Sequence, residues 1–434
     1  METLEIINFL TIKEADIVIK KMNIIIGSQA TGKSIIAKLI YLFQSFLSEE
    51  LIGLAYEQAD HDVVEQRIIN NFETIFPKYG WLKQDFSIVY MTNNIVLTIN
   101  HDSKNDQQLL RFTYSDSFAE LMRQAKSLCE MFVSTYEDFV ATIDEVEFTN
   151  SMRYSQAKRY IRESTFGVES ITTIFIPAGR AFFATIQKNI FSLLASNINL
   201  DTFIKKFGYT YEKYKSIYEH LDYDLSNQMQ NMEDSDSLLQ LSSKSIIEKI
   251  LIGEYRHQSK EDWIYNPANE TMVNLSDASS GQQESLPMLL ILSAVPFSSP
   301  KQTTSFFIEE PEAHLFPSAQ KSITELFSLL YNGKNSNFFI TTHSPYILTA
   351  LNVLIKAGNI YNSTNDRDVK EKINAIVDKQ LHIKFEDVAA YTIKDGILEG
   401  ILNEDLQIIG SSIIDSVSDE FESEYNALLD LEYE

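Results

Sequence analysis

Apolar and polar positions divide the chain into strand-like runs, helix-like stripes and polar breaks. Leu4-Glu5-Ile6-Ile7-Asn8-Phe9 and Asp16-Ile17-Val18-Ile19 predict two strands leading to a third, Asn23-Ile24-Ile25-Ile26. Ile35, Ile36, Leu39 and Ile40 then recur at helical spacing and predict a helix from Lys33 to about Ser48. Residues 50–75 continue as helix, with Val63, Val64, Ile68 and Ile69 about a turn apart. Phe86–Met91, Ile95–Ile99 and Leu109–Tyr114 read as strands separated by turn signals at Asn93-Asn94 and Asp102–Asp106. They are expected to form an antiparallel lobe.

From Ser117 to about Thr165 the period turns helical. Phe118, Leu121, Met122, Ala125, Leu128, Cys129, Phe132 and Val133 make one core-facing stripe. A short β-run, Ile171–Ile176, precedes a second helical block over about 183–250. Ile250–Tyr255 and Trp263–Asn274 read as strands, followed by a helix through Leu286, Leu289, Leu290 and Leu292. Ser305–Glu310 and Asn337–Thr342 are apolar strands flanking a helix over 318–331, and 387–401 reads as a closing hairpin. The last twenty residues hold eight acids and no base, yet Leu428, Leu429 and Leu431 predict a docked helix there.

Composition narrows the class. The chain has 434 residues, 44% hydrophobic and 12% aromatic, which fits a globular protein of two or three domains. No apolar run approaches the roughly 18 residues a membrane span needs, and Met1–Glu5 lacks the basic start of a signal peptide. One cysteine, Cys129, excludes an internal disulfide framework and fits a reducing cytoplasm. A net charge of −25 disfavours broad contact with a phosphate backbone. A local basic groove stays open as an alternative to a solvated face, and Arg153, Lys158, Arg159 and Arg162 would supply it.

Within this frame one stretch carries chemistry. The strand Ile24–Ile26 runs into Gly27-Ser28-Gln29-Ala30-Thr31-Gly32-Lys33-Ser34 and then a helix, the P-loop pattern in its required context. The glycines let successive backbone N–H groups turn inward, and the helix N-terminus adds positive potential. Lys33 is expected to reach the β- and γ-phosphates of ATP, and the Ser34 hydroxyl to bind Mg²⁺. The apolar strand ending in Glu309-Glu310 places two carboxylates at one strand edge. Glu309 is expected to hold Mg²⁺, and Glu310 to polarise the attacking water as general base. His343, ending another apolar strand, is placed to bond the γ-phosphate. Ser279-Ser280-Gly281-Gln282, opening a helix, offers a second anion site or a plain helix cap.

Together these stretches resemble the ABC-type ATPases of the SMC, RecF and overcoming-lysogeny-defect branch over about 1–110 and 250–400. Gly27–Ser34 resembles Walker A, Phe306–Glu310 Walker B, Ser279–Gln282 the signature, Glu312–Leu315 the D-loop and His343 the switch histidine. Glu309 stands where many relatives carry Asp. No glutamine directly follows Ile174–Ile176, so Arg180 and Gln187 both remain open for the Q-loop role. The spellings Ile176-Pro177-Ala178-Gly179-Arg180 and Glu309-Glu310-Pro311-Glu312-Ala313-His314-Leu315-Phe316-Pro317 resemble the AAA-family ATPases of antiphage systems such as PARIS, Septu and some retrons.

The resemblance implies an α/β fold: an ABC-type ATPase head of mixed sheet flanked by helices, with an antiparallel β lobe and a helical insertion. The expected division is 1–115 for the first part of the head, 116–249 for the insertion, 250–400 for the second part and 401–434 for an acidic helical segment. It further implies ATP and Mg²⁺ as ligands and a head-to-head dimer whose signature meets the γ-phosphate bound by the opposite subunit. It also implies a separately encoded effector nuclease or toxin as partner and a phage protein as trigger. The alternative is an ATPase of DNA repair or DNA-end processing.

Overall fold

The computed structural model describes residues 1–103, 110–130, 143–168, 171–186, 200–228, 235–258, 261–298 and 303–410. Eleven of its strands make one sheet. They are β1 (Glu2–Phe9), β2 (Ile12–Ile19), β3 (Met22–Ile26), β4 (Phe86–Thr92), β5 (Ile95–His101), β6 (Arg111–Tyr114), β7 (Ile171–Ile176), β11 (Thr303–Glu309), β12 (Asn337–Thr342), β13 (Val388–Lys394) and β14 (Ile397–Gly400). Their order across the sheet is β6-β5-β4-β1-β2-β14-β13-β3-β12-β11-β7. Strands β13, β3, β12, β11 and β7 are mutually parallel. Strands β6, β5, β4, β1 and β2 are antiparallel.

The predicted antiparallel strands therefore form, and they continue the parallel part. The β13–β14 hairpin folds back so that Ile397 pairs with Glu14 of β2. Beside this pair the Gly396 carbonyl accepts from Lys13 N–H at 2.7 Å.

All five residues of β3 and all seven of β11 are buried. Both faces of the sheet are covered there, so these strands read as unbroken apolar runs instead of alternating ones. One face packs the Lys33–Ser45 helix, through Ile36, Leu39, Ile40 and Phe43, against the antiparallel strands. The opposite face packs helices Ser280–Ala294, Pro317–Lys334 and Pro345–Ser363 against β3, β11 and β12.

Some boundaries differ from the sequence reading. The helix after Lys33 ends at Ser45, passes through a π-turn at Phe46–Glu50 and resumes at Leu51–Tyr56. Ile250 and Leu251 end the helix Ser235–Leu251 rather than beginning a strand, and the next strand, β8 (Glu254–Gln258), starts later. Ile252 reverses the chain with φ of 52° and Gly253 N–H bonds back to Glu248. The Trp263–Asn274 run is two strands, β9 (Glu261–Asn266) and β10 (Thr271–Asn274). These join β8 in a small separate sheet. Residues 401–410 are not helical: Leu402–Asn403 (β15) pairs with Ile408–Ile409 (β16). Residues 411–434, with Leu428, Leu429 and Leu431, lie outside the described residues, as do Phe132, Val133 and Gln187.

The small sheet is tied to the helix Thr202–Gln228 by a buried acid. Asp262 on β9 accepts from Tyr211 Oη at 3.0 Å and Tyr255 Oη at 2.8 Å, and pairs with Lys215 Nζ at 2.8 Å and His257 Nδ1 at 2.7 Å. Burial disfavours the charged carboxyl, but Lys215 and these hydrogen bonds win and hold its pKa below the ordinary value. Elsewhere, Arg162 of the basic cluster does not face a groove. It is buried, with Nε donating to the Ser48 carbonyl at 3.2 Å, while Arg159 pairs with Glu163 at 3.7 Å.

Candidate nucleotide site

Strands β3, β12 and β11 lie side by side, and each ends in a residue of the candidate site. The loop after β3 is exposed at Ser28, Gln29 and Ala30. It turns through Ala30 at φ 59° and Gly32 at φ 107°. Gly32 is forced twice. Its backbone is left-handed, and a Cβ would meet Ile12 Cδ1 at 2.4 Å and Thr11 Oγ1 at 2.8 Å. The loop thus rests on the turn between β1 and β2. Thr31 Oγ1 donates to the Ser28 carbonyl at 3.0 Å, and Ser34 stands exposed in the first turn of the helix.

Lys33 lies along this loop. Its ammonium donates to the carbonyls of Gly27 at 2.9 Å and Ser28 at 2.7 Å and stands 3.5 Å from His343 Nδ1. Burial holds its pKa below the ordinary lysine value, with Glu310 and Glu312 opposing that shift. An ammonium can only donate, so it assigns Nδ1 of His343 as acceptor and leaves the proton on Nε2. That nitrogen sits 3.2 Å from Glu310 Oε1. One line of contact therefore crosses the sheet edge from Lys33 through His343 to Glu310.

The acids have distinct settings. Glu310 has a left-handed backbone, φ 44°, and its N–H donates to the Thr341 carbonyl at 2.9 Å. This turns its side chain out at the strand end, and that side chain is 41% exposed. Glu309 is buried. Its Oε2 accepts from Ala178 N–H at 3.3 Å, while its Oε1 is buried with no hydrogen-bond partner. A buried carboxylate oxygen without a donor is costly unless a cation or bound water meets it, and this fits a Mg²⁺ site.

Sequence reasoning names Glu312 only as part of a loop. Its Oε1 accepts from His343 N–H at 2.7 Å and Thr342 Oγ1 at 2.8 Å. The turn after β11 is thereby fastened to the end of β12 and fixes the backbone that carries His343.

Arg180 requires a correction. It does not extend toward a ligand. Its side chain is fully buried, and Nε donates to the Glu284 carbonyl at 3.1 Å. One terminal nitrogen donates to the carbonyls of Pro177 at 2.9 Å and Glu309 at 2.7 Å, the other to that of Glu310 at 3.0 Å. Glu284 meets it in return, accepting from the N–H groups of Arg180 at 2.8 Å and Ala181 at 2.7 Å. Arg180 is thus a brace joining the turn after β7, the end of β11 and the Ser280–Ala294 helix. The signal for Glu284 is an acid in the first turns of an otherwise apolar helix, whose partner no local pattern names.

That helix begins with a full capping box. Ser279 accepts from Gln282 N–H, and Gln282 Oε1 accepts from Ser279 N–H at 3.1 Å. Gln282 Nε2 donates to the Leu251 carbonyl at 2.7 Å. The side chains of Ser279 and Gln282 are committed within the chain, and Ser280 is exposed beside them. Gly281 is required for a different reason: a Cβ there would stand 2.8 Å from the His314 carbonyl oxygen.

A phosphate loop, paired strand-end acids and a histidine between them on adjacent parallel strands are the parts of a nucleotide hydrolase. The sequence model of the AAA ATPase domain family matches residues 1–348. The chain belongs to this AAA ATPase domain family. No curated protein sequence matches it. Solved structures similar to this AAA ATPase-domain chain include the SMC head domain from Thermotoga maritima. That pair shares 12% identity over 93% of this chain and 98% of the other, with a TM-score of 0.35. An Smc head domain from Pyrococcus furiosus, with an extended coiled coil and bound to the C-terminal domain of ScpA, gives 10%, 97%, 100% and 0.37. The recombination mediator protein RecF-ATPrS gives 9%, 92%, 97% and 0.32. No helix among the described residues is long and apolar enough to cross a membrane.

Proposed function

We propose that the chain binds ATP with Mg²⁺ and hydrolyses it to ADP and phosphate. The observation that carries this reading is the contact line Lys33–His343–Glu310. Lys33 exchanges its carbonyl partners for the β- and γ-phosphates, while Gly27–Gly32 present backbone N–H groups to them. Ser34 and the unpartnered oxygen of Glu309 would hold Mg²⁺, which supplies charge neutralisation on the phosphate oxygens when bound. Glu310 takes a proton from the attacking water as the water oxygen bonds to the γ-phosphorus and the bond to the β-phosphate oxygen breaks. His343 donates through Nε2 and aims Glu310.

In this reading 1–115 and 250–400 make the ATPase head, 116–249 is an insertion into it and 401–434 is an appended segment. Exposed Ser280 and the N-terminus of its helix address the γ-phosphate held by a second subunit. Pairing of two heads then depends on ATP and controls a separately encoded nuclease or toxin in antiphage defence. Support for that role comes from the spellings of 176–180 and 309–317. A net charge of −25 and the burial of Arg162 weigh against a DNA-handling role. The test is co-expression with the product of a neighbouring nuclease gene. ATP-dependent co-purification, lost in Lys33→Ala, is the expected result. ATPase activity without any such partner would overturn the defence role but leave the chemistry standing.

A further inference from the structure

The large sheet ends at β7, and among the described residues β11 is the one strand paired with it. Four consecutive residues of β7, Thr172–Phe175, line a cavity of about 510 Å³. Consecutive side chains of a strand point to opposite faces, so the cavity runs along the outer edge of β7 and not over one face of it. The opposite wall is the helix Thr202–Gln228, which lines the cavity with Lys205, Lys206, Tyr209 and Lys213. Their spacing puts them on one helical face, and all four are exposed.

One side chain already occupies this edge. The Thr173 N–H points away from β11 and donates to Glu49 Oε1 at 3.4 Å, and Thr173 Oγ1 donates to the same oxygen at 3.0 Å. A carboxylate oxygen thus stands where the carbonyl of a further strand would accept. Backbone groups alternate sides along a strand, so Ile171 and Phe175 aim theirs the same way as Thr173. Glu49 is itself exposed, and cations stand around it. Burial lowers the pKa values of Lys158 and Arg162, and the Glu49 carboxylate opposes both shifts. Lys206 Nζ lies 5.6 Å from the ring centre of Tyr41, another residue of the cavity wall. In a chain of net charge −25, Lys158, Arg162, Lys205, Lys206 and Lys213 therefore gather about one strand edge.

Charge and shape together select the occupant. Lys205 and Lys213 are eight residues apart, about 12 Å along the helix. A strand covers that distance in about four residues, so acids at alternate positions of an added strand meet a lysine at each end. Single-stranded nucleic acid would want several rings on which successive bases stack. Tyr41 and Tyr214 in the cavity wall are buried, which leaves Tyr209, 75% exposed, as the one open ring among them. We propose that this cleft binds an extended acidic segment of a partner protein, which adds a strand to β7, displaces Glu49 and sets alternate carboxylates against the lysines of the helix. This does not depend on the nucleotide chemistry.

The test uses the full chain and a fluorescein-labelled eight-residue peptide of alternating valine and glutamate, followed by anisotropy. The peptide should bind, and the valine–lysine counterpart should not. Lys206→Glu with Lys213→Glu should weaken binding at least tenfold. Glu49→Gln should tighten it at least threefold, a gain that a damaged fold cannot produce. Hydrogen exchange in Ile171–Ile176 should slow at least tenfold with the acidic peptide bound. Absence of binding, weaker binding in Glu49→Gln, or binding with unchanged exchange in β7 would each overturn the proposal. An eight-nucleotide thymidine strand that binds where the acidic peptide does not, and is lost in the lysine variant, would assign the cleft to nucleic acid and overturn it as well.

Discussion

Nε2 of His343 lies 3.2 Å from Oε1 of Glu310, while Nδ1 of the same ring lies 3.5 Å from the Lys33 ammonium. One imidazole thus touches both the group that would meet the phosphates and the group that would take the proton.

Glu310→Gln keeps the shape of the side chain and removes the base. ATP binding should persist, while hydrolysis falls by roughly 10²–10⁴-fold. His343→Ala should lower kcat with a smaller change in KM, because its role is to aim Glu310. Single-turnover hydrolysis and calorimetric titration separate the two effects. Equal losses of affinity in both variants would contradict the division of roles.

Lys33→Met should abolish tight ATP binding and raise the melting temperature. Burial lowers the folded-state pKa of Lys33, so the folded chain binds this proton less well than the unfolded one. The penalty is present in full below the folded value and fades as pH rises from there to the unfolded one, about 10.4. The stabilisation by Met should therefore shrink at alkaline pH, which thermal scans near neutrality and above the ordinary lysine pKa would measure.

Arg180→Ala leaves the carbonyls of Pro177, Glu309 and Glu310 and the Glu284 carboxylate without a cation in the interior. Breaking such a buried pair costs about 3–5 kcal/mol. Arg180→Lys should recover little of this, because an ammonium cannot reproduce the planar fork. Chemical denaturation measures the loss. Full stability in Arg180→Lys would show that charge alone suffices.

Two subunits sharing each ATP can be tested by mixing lesions. Gly281 is a poor site for this, since any side chain there meets the His314 carbonyl within the subunit. Ser280 is exposed, so Ser280→Arg should spare the fold. Mixed Lys33→Ala and Ser280→Arg chains place both lesions on one shared site and leave the other intact. Partial return of ATPase activity is expected, and mixed dimers with none would count against the arrangement.

Asp262→Asn should weaken the chain most above the ordinary aspartate pKa, about 3.9. The wild-type carboxyl is held below that value by Lys215 and its hydrogen bonds, against the cost of burial. Its stabilising contribution is present above the unfolded value and is lost as pH falls through the lower folded one. Wild type and variant should therefore converge in stability at strongly acid pH, as urea unfolding across that range would show.

Legibility in the sequence follows the range of the interaction. The P-loop and the β11 strand can be read because an unbroken apolar run reports burial on both faces and the glycines sit beside it in sequence. Ile250–Tyr255 misleads because a short apolar run suits the end of a helix as well as a strand, and only the turn at Ile252 decides. The sequence leaves Arg180 open for a place at the ligand because its true partners, Glu284, Glu309 and Glu310, lie more than a hundred residues away. No local spacing connects them. Glu312 is silent for the same reason: the donors to its carboxylate, Thr342 and His343, stand at the end of another strand.

The order β3-β12-β11 also sets a gauge. The P-loop strand and the strand of Glu309 are separated by one intervening strand, the one that delivers His343. Backbone hydrogen bonding holds neighbours about 4.8 Å apart, so loop and acids face each other across two such steps, about 10 Å. Side-chain substitutions can change what stands on the two banks. They leave the spacing of the strands themselves in place, because it is a repeat distance of the peptide backbone.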